Sequence, residues 1–89
     1  MELIFSGQFD RDIDINNRKI LDAIRDVVLN VEKAGGISQI NNLKKLEKYK
    51  NQYRIRVADD YRIGLIIRGN KVWFACFGHR NLFYKKKFP

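Results

Sequence analysis

Apolar residues recur with a helical period in one part of this chain and alternate in others. Ile20, Leu21, Ile24, Val27, Val28 and Val31 stand one, three and four positions apart, the spacing of a buried stripe on a helix. Arg18, Lys19, Asp22, Arg25, Asp26 and Glu32 fall mostly off that stripe, so a helix is predicted over about 17–34. Gly35-Gly36 should end it, glycine accepting the left-handed conformation of a helix C-terminus. Upstream, Glu2–Phe5 reads as a short strand. Phe9 and Ile13 then line one side of a short helix that starts near Ser6, with Ser6 as its cap. Ile37, Ile40, Leu43 and Leu46 recur every three residues, which suits a short helix or an irregular packed segment.

The C-terminal half changes period. Tyr53–Val57, Tyr61–Ile67 and Val72–Arg80 alternate as strands do, Ala58-Asp59-Asp60 links the first two, and Gly69-Asn70 is a hairpin turn for the second pair. With Val57 opposite Tyr61, Ile55 meets Ile63 and Tyr53 meets Leu65 on one face. Counting inward from Arg68 opposite Lys71, Leu65 should meet Phe74 and Ile63 should meet Cys76. Arg54, Arg56 and Arg62 then share the other face, with Phe77 and His79 beside them and a shallow floor at Gly64 and Ala75. The expected architecture is α+β in one domain, 1–89. A short first strand and a two-helix hairpin precede a three-stranded antiparallel meander, and the helices pack on the aliphatic face of one sheet.

Charge sharpens this picture. The net charge is +8, but residues 1–43 carry five basic and seven acidic side chains, whereas 44–89 carry thirteen and three. A polyanionic partner is therefore expected on the C-terminal half. Charge alone does not separate RNA, DNA, the ribosome or an acidic protein. Cys76 is the sole cysteine, so no disulfide can form within the chain, and it should serve as a small core residue. No stretch is long and apolar enough to span a membrane, and Met-Glu-Leu-Ile-Phe-Ser lacks a secretion signal. The expected compartment is the cytoplasm, with no membrane partner.

Three arginines converging beside one imidazole suit a phosphodiester. Guanidinium pairs with phosphate through two parallel hydrogen bonds, and His79 can move a proton near neutral pH. Lys44, Lys45, Lys48 and the Lys85-Lys86-Lys87 run add attraction to nucleic acid that salt should weaken. Carboxylates do not cluster, and one His with one Cys make no ligand set, so neither metal nor cofactor is implied.

The Tyr53–Ile63 hairpin (YRIRVADDYRI) and the Gly78–Pro89 segment (GHRNLFYKKKFP) resemble the RelE/ParE toxin superfamily, specifically RelE-like ribosome-dependent mRNA interferases. The likeness extends over nearly the whole chain. It implies that Arg54, Arg56 and Arg62 bind and polarise the scissile phosphate and that Arg80 joins them. It further implies that Tyr84 stacks on or orients an mRNA base or the nucleophile, and that His79 stands near a general acid found in some relatives. Arg54 and Arg56 replace lysines of some members, and arginine holds charge but is a poor base. Glu47 is a candidate base by proximity in sequence.

The implied reaction is metal-free. The RNA 2′-hydroxyl attacks the phosphorus, leaving a cyclic phosphate (or 3′-phosphate) and a 5′-hydroxyl. mRNA on the ribosome is the implied substrate and a cognate antitoxin the implied partner. Two other functions fit the same residues: a ParE-like inhibitor of DNA gyrase, and a non-catalytic RNA- or ribosome-binding domain.

Overall fold

The computed structural model describes residues 1–88, apart from the side chains of Lys86 and Lys87. The elements run β1 (Glu2–Phe5), α1 (Gly7–Asp12), α2 (Arg18–Lys33), a single 3-10 turn (Ile37–Gln39), β2 (Leu43–Lys45), β3 (Gln52–Val57), β4 (Tyr61–Arg68), β5 (Lys71–His79) and α3 (Arg80–Leu82). A wide turn, Phe83–Lys87, follows directly. The strands form one sheet in the order β1-β5-β4-β3-β2. β1 runs parallel to β5 and every other pair is antiparallel.

Local chemistry accounts for the helices. The Ser6 hydroxyl accepts from the Phe9 N–H (3.0 Å) and so caps α1, while Asn17 accepts from the Ile20 N–H (3.2 Å) and caps α2. The α2 stripe buries Ile20, Ile24 and Val31 against Ile55, Ile63, Leu65 and Phe74 of the sheet, as its spacing predicts. Its C-terminus differs from expectation. Ala34 leaves the helix in an extended conformation, and neither Gly35 nor Gly36 takes a positive φ. The last carbonyls find other partners: the Met1 nitrogen donates to Glu32 and Ala34 (3.0 Å each).

The three-residue period over 37–46 hides a fifth strand. The turn at Ile37–Gln39 is brief, Asn30 of α2 accepts from the Asn41 N–H (2.9 Å), and Asn42 turns the chain at φ 61°. Leu43–Lys45 then pairs with Tyr53–Ile55. Backbone pairing decides here, because side-chain spacing over so short a segment suits several structures.

The β3–β4 hairpin has the expected register, but its turn is strained. Ala58 (φ 48°) and Asp59 (φ 61°) both occupy left-handed backbone, which costs an L-residue roughly 1–2 kcal/mol. Ala58→Gly should therefore raise stability by about 0.5 kcal/mol, net of glycine's extra unfolded-state freedom. The expected rise in melting temperature is about 2–4 °C, and a fall on thermal unfolding would contradict the strain.

The β4–β5 register changes partway. Leu65 pairs with Phe74 as expected, but Gly64 pairs with Cys76, Ile63 with Phe77, Arg62 with Gly78 and Tyr61 with His79. Ala75 is the extra residue of a bulge. β1 stops at the same level, Phe5 being paired with Phe74, and α1 supplies the backbone partners that β1 no longer offers. The Ser6 hydroxyl donates to the Ala75 carbonyl (2.8 Å), and Asp12 accepts from the Phe77 N–H (3.0 Å). The bulge reverses every side chain beyond it. Phe77 belongs to the main core, stacked on Tyr61 at 5.3 Å. The expected floor at Gly64 and Ala75 is covered by Phe83 and Phe88 of the chain's end.

Candidate nucleic-acid interface

The sheet face away from the helices carries Arg54. Across the strands it stands opposite Gly64 on one side and Lys44 on the other. Arg56 stands opposite Arg62. Like charges directly opposite one another cost stability, and all four of these side chains are exposed or half-buried. A cleft of about 250 Å³ opens beside Arg54, lined by Lys44, Lys45, Leu46, Glu47 and Tyr84. It is smaller than the roughly 300–1,000 Å³ of an enclosed small-molecule pocket, and suits one segment of an extended chain.

Within the cleft, each group has a distinct situation. Arg54 is half-buried while Lys44 and Glu47 are exposed. The Lys45 ammonium donates to the Tyr49 carbonyl, which ties it to the β2–β3 loop. Tyr84 is 49% exposed, its ring edge-on to Phe83 at 4.9 Å, so one aromatic face remains for stacking. Glu47 is the one acid among the four lysines of 44–50, and that contrast is the sequence signal for it.

The expected residues Arg56, Arg62, His79 and Arg80 are not among those that line this cleft. Arg62 is half-buried and donates from Nη1 to the Asp59 (2.7 Å) and Tyr61 (2.9 Å) carbonyls, so it clamps the strained β3–β4 turn. That turn in turn holds Arg80. The Arg80 N–H donates to the Asp60 carbonyl at 2.7 Å, and Arg80 Nε lies 3.7 Å from the Asp60 carboxylate with both side chains more than half exposed. So long and wet an ion pair is worth little and yields readily to a phosphate. Arg56 is exposed and borders a separate groove with Asp26, Asn30, Asn41 and Asn42.

His79 departs furthest from the expected geometry. The bulge turns it to the Tyr61 side, where the two rings meet edge to face at 5.4 Å. Its Nδ1 accepts from the Asn81 N–H (3.2 Å) and caps α3. The expectation that alternation sets His79 on the arginine face is thus corrected by one unpaired residue in β5. Lys48 and Lys85 are exposed. The side chains of Lys86 and Lys87 lie outside the described residues.

No family model matches the chain. Over 85 residues it is 28% identical to Toxin RelE3 of Methanocaldococcus jannaschii, spanning 94% of this chain and 96% of that one. Its fold superposes with a TM-score of 0.78 on the RelB-RelE antitoxin-toxin complex from Methanococcus jannaschii, at 27% identity and with 91% and 94% of the two chains covered. YafQ from E. coli shares the fold alone, with a TM-score of 0.65 and 13% identity over 93% and 97% of the chains. Among the described residues no helix is long and apolar enough to cross a membrane. Sequence and fold agree over nearly the full length of both chains, and the chain is similar to RelE-like toxins of toxin–antitoxin systems.

Proposed function

We propose that this chain is the toxin of a type II toxin–antitoxin pair, a metal-free endonuclease that cuts mRNA on the ribosome and so blocks translation in the cytoplasm. The single observation that carries this reading is the cleft that joins Arg54, Lys44, Tyr84 and Glu47 on a face whose cross-strand neighbours repel. The similarity to a RelE toxin and to a toxin bound to its antitoxin supports a cognate antitoxin as the partner. An acidic segment laid over this basic face would silence it by neutralising the same charges.

In this reading Arg54 grips the scissile phosphate through two donors, and Arg80, released from Asp60, shares the charge that develops on the phosphorane. Tyr84 stacks on the base beside the cut. Glu47 takes the proton of the 2′-hydroxyl, whose oxygen attacks phosphorus as the bond to the 5′-oxygen breaks. Arg62 acts through the turn it clamps, and His79 through the tail helix it caps. The proton for the departing 5′-oxygen comes from outside the cleft, which fits a reaction completed only on the ribosome. Lys44, Lys45, Lys48 and Lys85 contribute phosphate attraction.

Mapping mRNA 5′ ends after brief induction tests the class of activity. Wild type should give new ends at fixed positions within codons, and Arg80→Ala should reduce them at least tenfold. Intact transcripts with arrested replication would instead identify a gyrase inhibitor. Intact transcripts with the chain bound to ribosomes would identify a binder that does not cut.

A further inference from the structure

Behind the cleft lies a second, smaller core on the face opposite the helices. Phe83 is fully buried there, with Phe88 and Cys76 nearly so, and Leu46, Ile66 and Ala75 pack against them. The chain's end reaches this site through the wide turn at Phe83–Lys87, closed by the Phe88 N–H donating to the Phe83 carbonyl (2.9 Å). A five-residue span brings the two phenylalanines together, with ring centroids 5.6 Å apart. Tyr84, between them in sequence, projects toward the cleft.

Gly64 is the socket. A Cβ built on it would stand 2.9 Å from the Phe88 ring and 2.9 Å from Cys76 Sγ. Its φ is not in the left-handed region, so the backbone there would accept any residue, and it is space that requires glycine. Leu46 belongs both to this small core and to the cleft wall. The same apolar seat therefore sets the β2–β3 loop on one side of the cleft and Tyr84 on the other.

We propose that Phe88, seated on Gly64, is a positioning residue that holds Tyr84 at the cleft, and that the RNA site is assembled only when the chain's end is docked. The role of Tyr84 toward RNA rests on the function proposed above, but its placement does not. Among the described side chains between Phe83 and Phe88, Tyr84 and Lys85 are exposed, and Phe88 is a second anchor for this turn beside Phe83.

The test labels the four tyrosines with fluorotyrosine in the full chain and reads 19F spectra, the Tyr84 signal being assigned by Tyr84→Phe. In Phe88→Ala the Tyr84 resonance should move to that of a freely rotating tyrosine while that of Tyr61, packed against the main core, stays. Phe88→Leu should restore it in large part. Gly64→Ala, which fills the socket instead of removing the plug, should shift Tyr84 the same way, and Phe88→Ala should then add little to it. On programmed ribosomes Phe88→Ala should lower kcat at least tenfold, with Phe88→Leu within about threefold of wild type. An unmoved Tyr84 signal in Phe88→Ala and Gly64→Ala, with Tyr61 in place, overturns the proposal. If Tyr84 moves as expected but the wild-type chain cuts no RNA, the positioning role stands and the nuclease reading falls.

Discussion

Arg54→Ala should lower the rate of mRNA cleavage on programmed ribosomes by about 100- to 1,000-fold, the usual cost of removing one preorganised donor to a developing oxyanion. Among the described residues, Arg54 is the arginine that lines the cleft with Tyr84 and Glu47. The same substitution should leave the fold intact or slightly firmer. Arg54 faces Lys44 across β2–β3, and relief of a like-charge pair is worth roughly 0.2–1 kcal/mol. Lost activity with an unchanged or raised melting temperature is the signature of a group retained for function against stability. Arg54→Lys should recover part of the loss, because a point charge remains but the two-donor fork does not. Binding of single-stranded RNA to the alanine variant should show a salt dependence shallower by about 0.7 in log–log slope, one phosphate contact fewer. Cleavage by Arg54→Ala within threefold of wild type, measured under single-turnover conditions, would remove Arg54 from the reaction.

The parts of this site that the chain discloses by itself are those set by local period. The Arg54 and Arg62 positions follow from turn chemistry and alternation, and the β3–β4 pairing leaves no freedom once Val57 meets Tyr61. The α2 stripe is equally plain, since six apolar residues at helical spacing fit no strand. What escapes is set by tertiary partners. Ala75 and Cys76 are both small and apolar, and nothing in them marks a bulge. Its cause lies in Ser6 and Asp12, more than sixty residues away, which satisfy the backbone where β1 ends. His79 therefore lands on the wrong side of any count made inward from the Gly69-Asn70 turn. The pairing of Phe83 with Phe88 escapes for another reason: a spacing of five belongs to neither regular period. Glu47 gains its meaning only when the β2–β3 loop comes to face Tyr84.

Phe74→Ala should destabilise the protein by about 3–5 kcal/mol, a large part of the 5–15 kcal/mol available to a domain of this size. Phe74 is wholly buried and is where three elements meet. Its ring lies 4.9 Å from Phe5 of β1 and 5.3 Å from Phe9 of α1, and its Cα partners Leu65 of β4. Truncation leaves a void that none of these can fill without moving backbone. The melting temperature should fall by at least about 12 °C, whereas Phe74→Leu, which keeps most of the volume, should cost far less. Thermal and urea unfolding measure both, and a drop under 5 °C for the alanine variant would show that the fold does not depend on the aromatic cluster. The consequence reaches the functional face. Phe74 is the last residue before the bulge, and α1 is held to the sheet through Phe9, so loosening that contact also loosens the Ser6 and Asp12 bonds to Ala75 and Phe77. The register that seats Cys76 beneath Phe88 depends on those bonds. A substitution on the helix side of the sheet should thus move the Tyr84 resonance on the opposite side, at temperatures below the main unfolding transition.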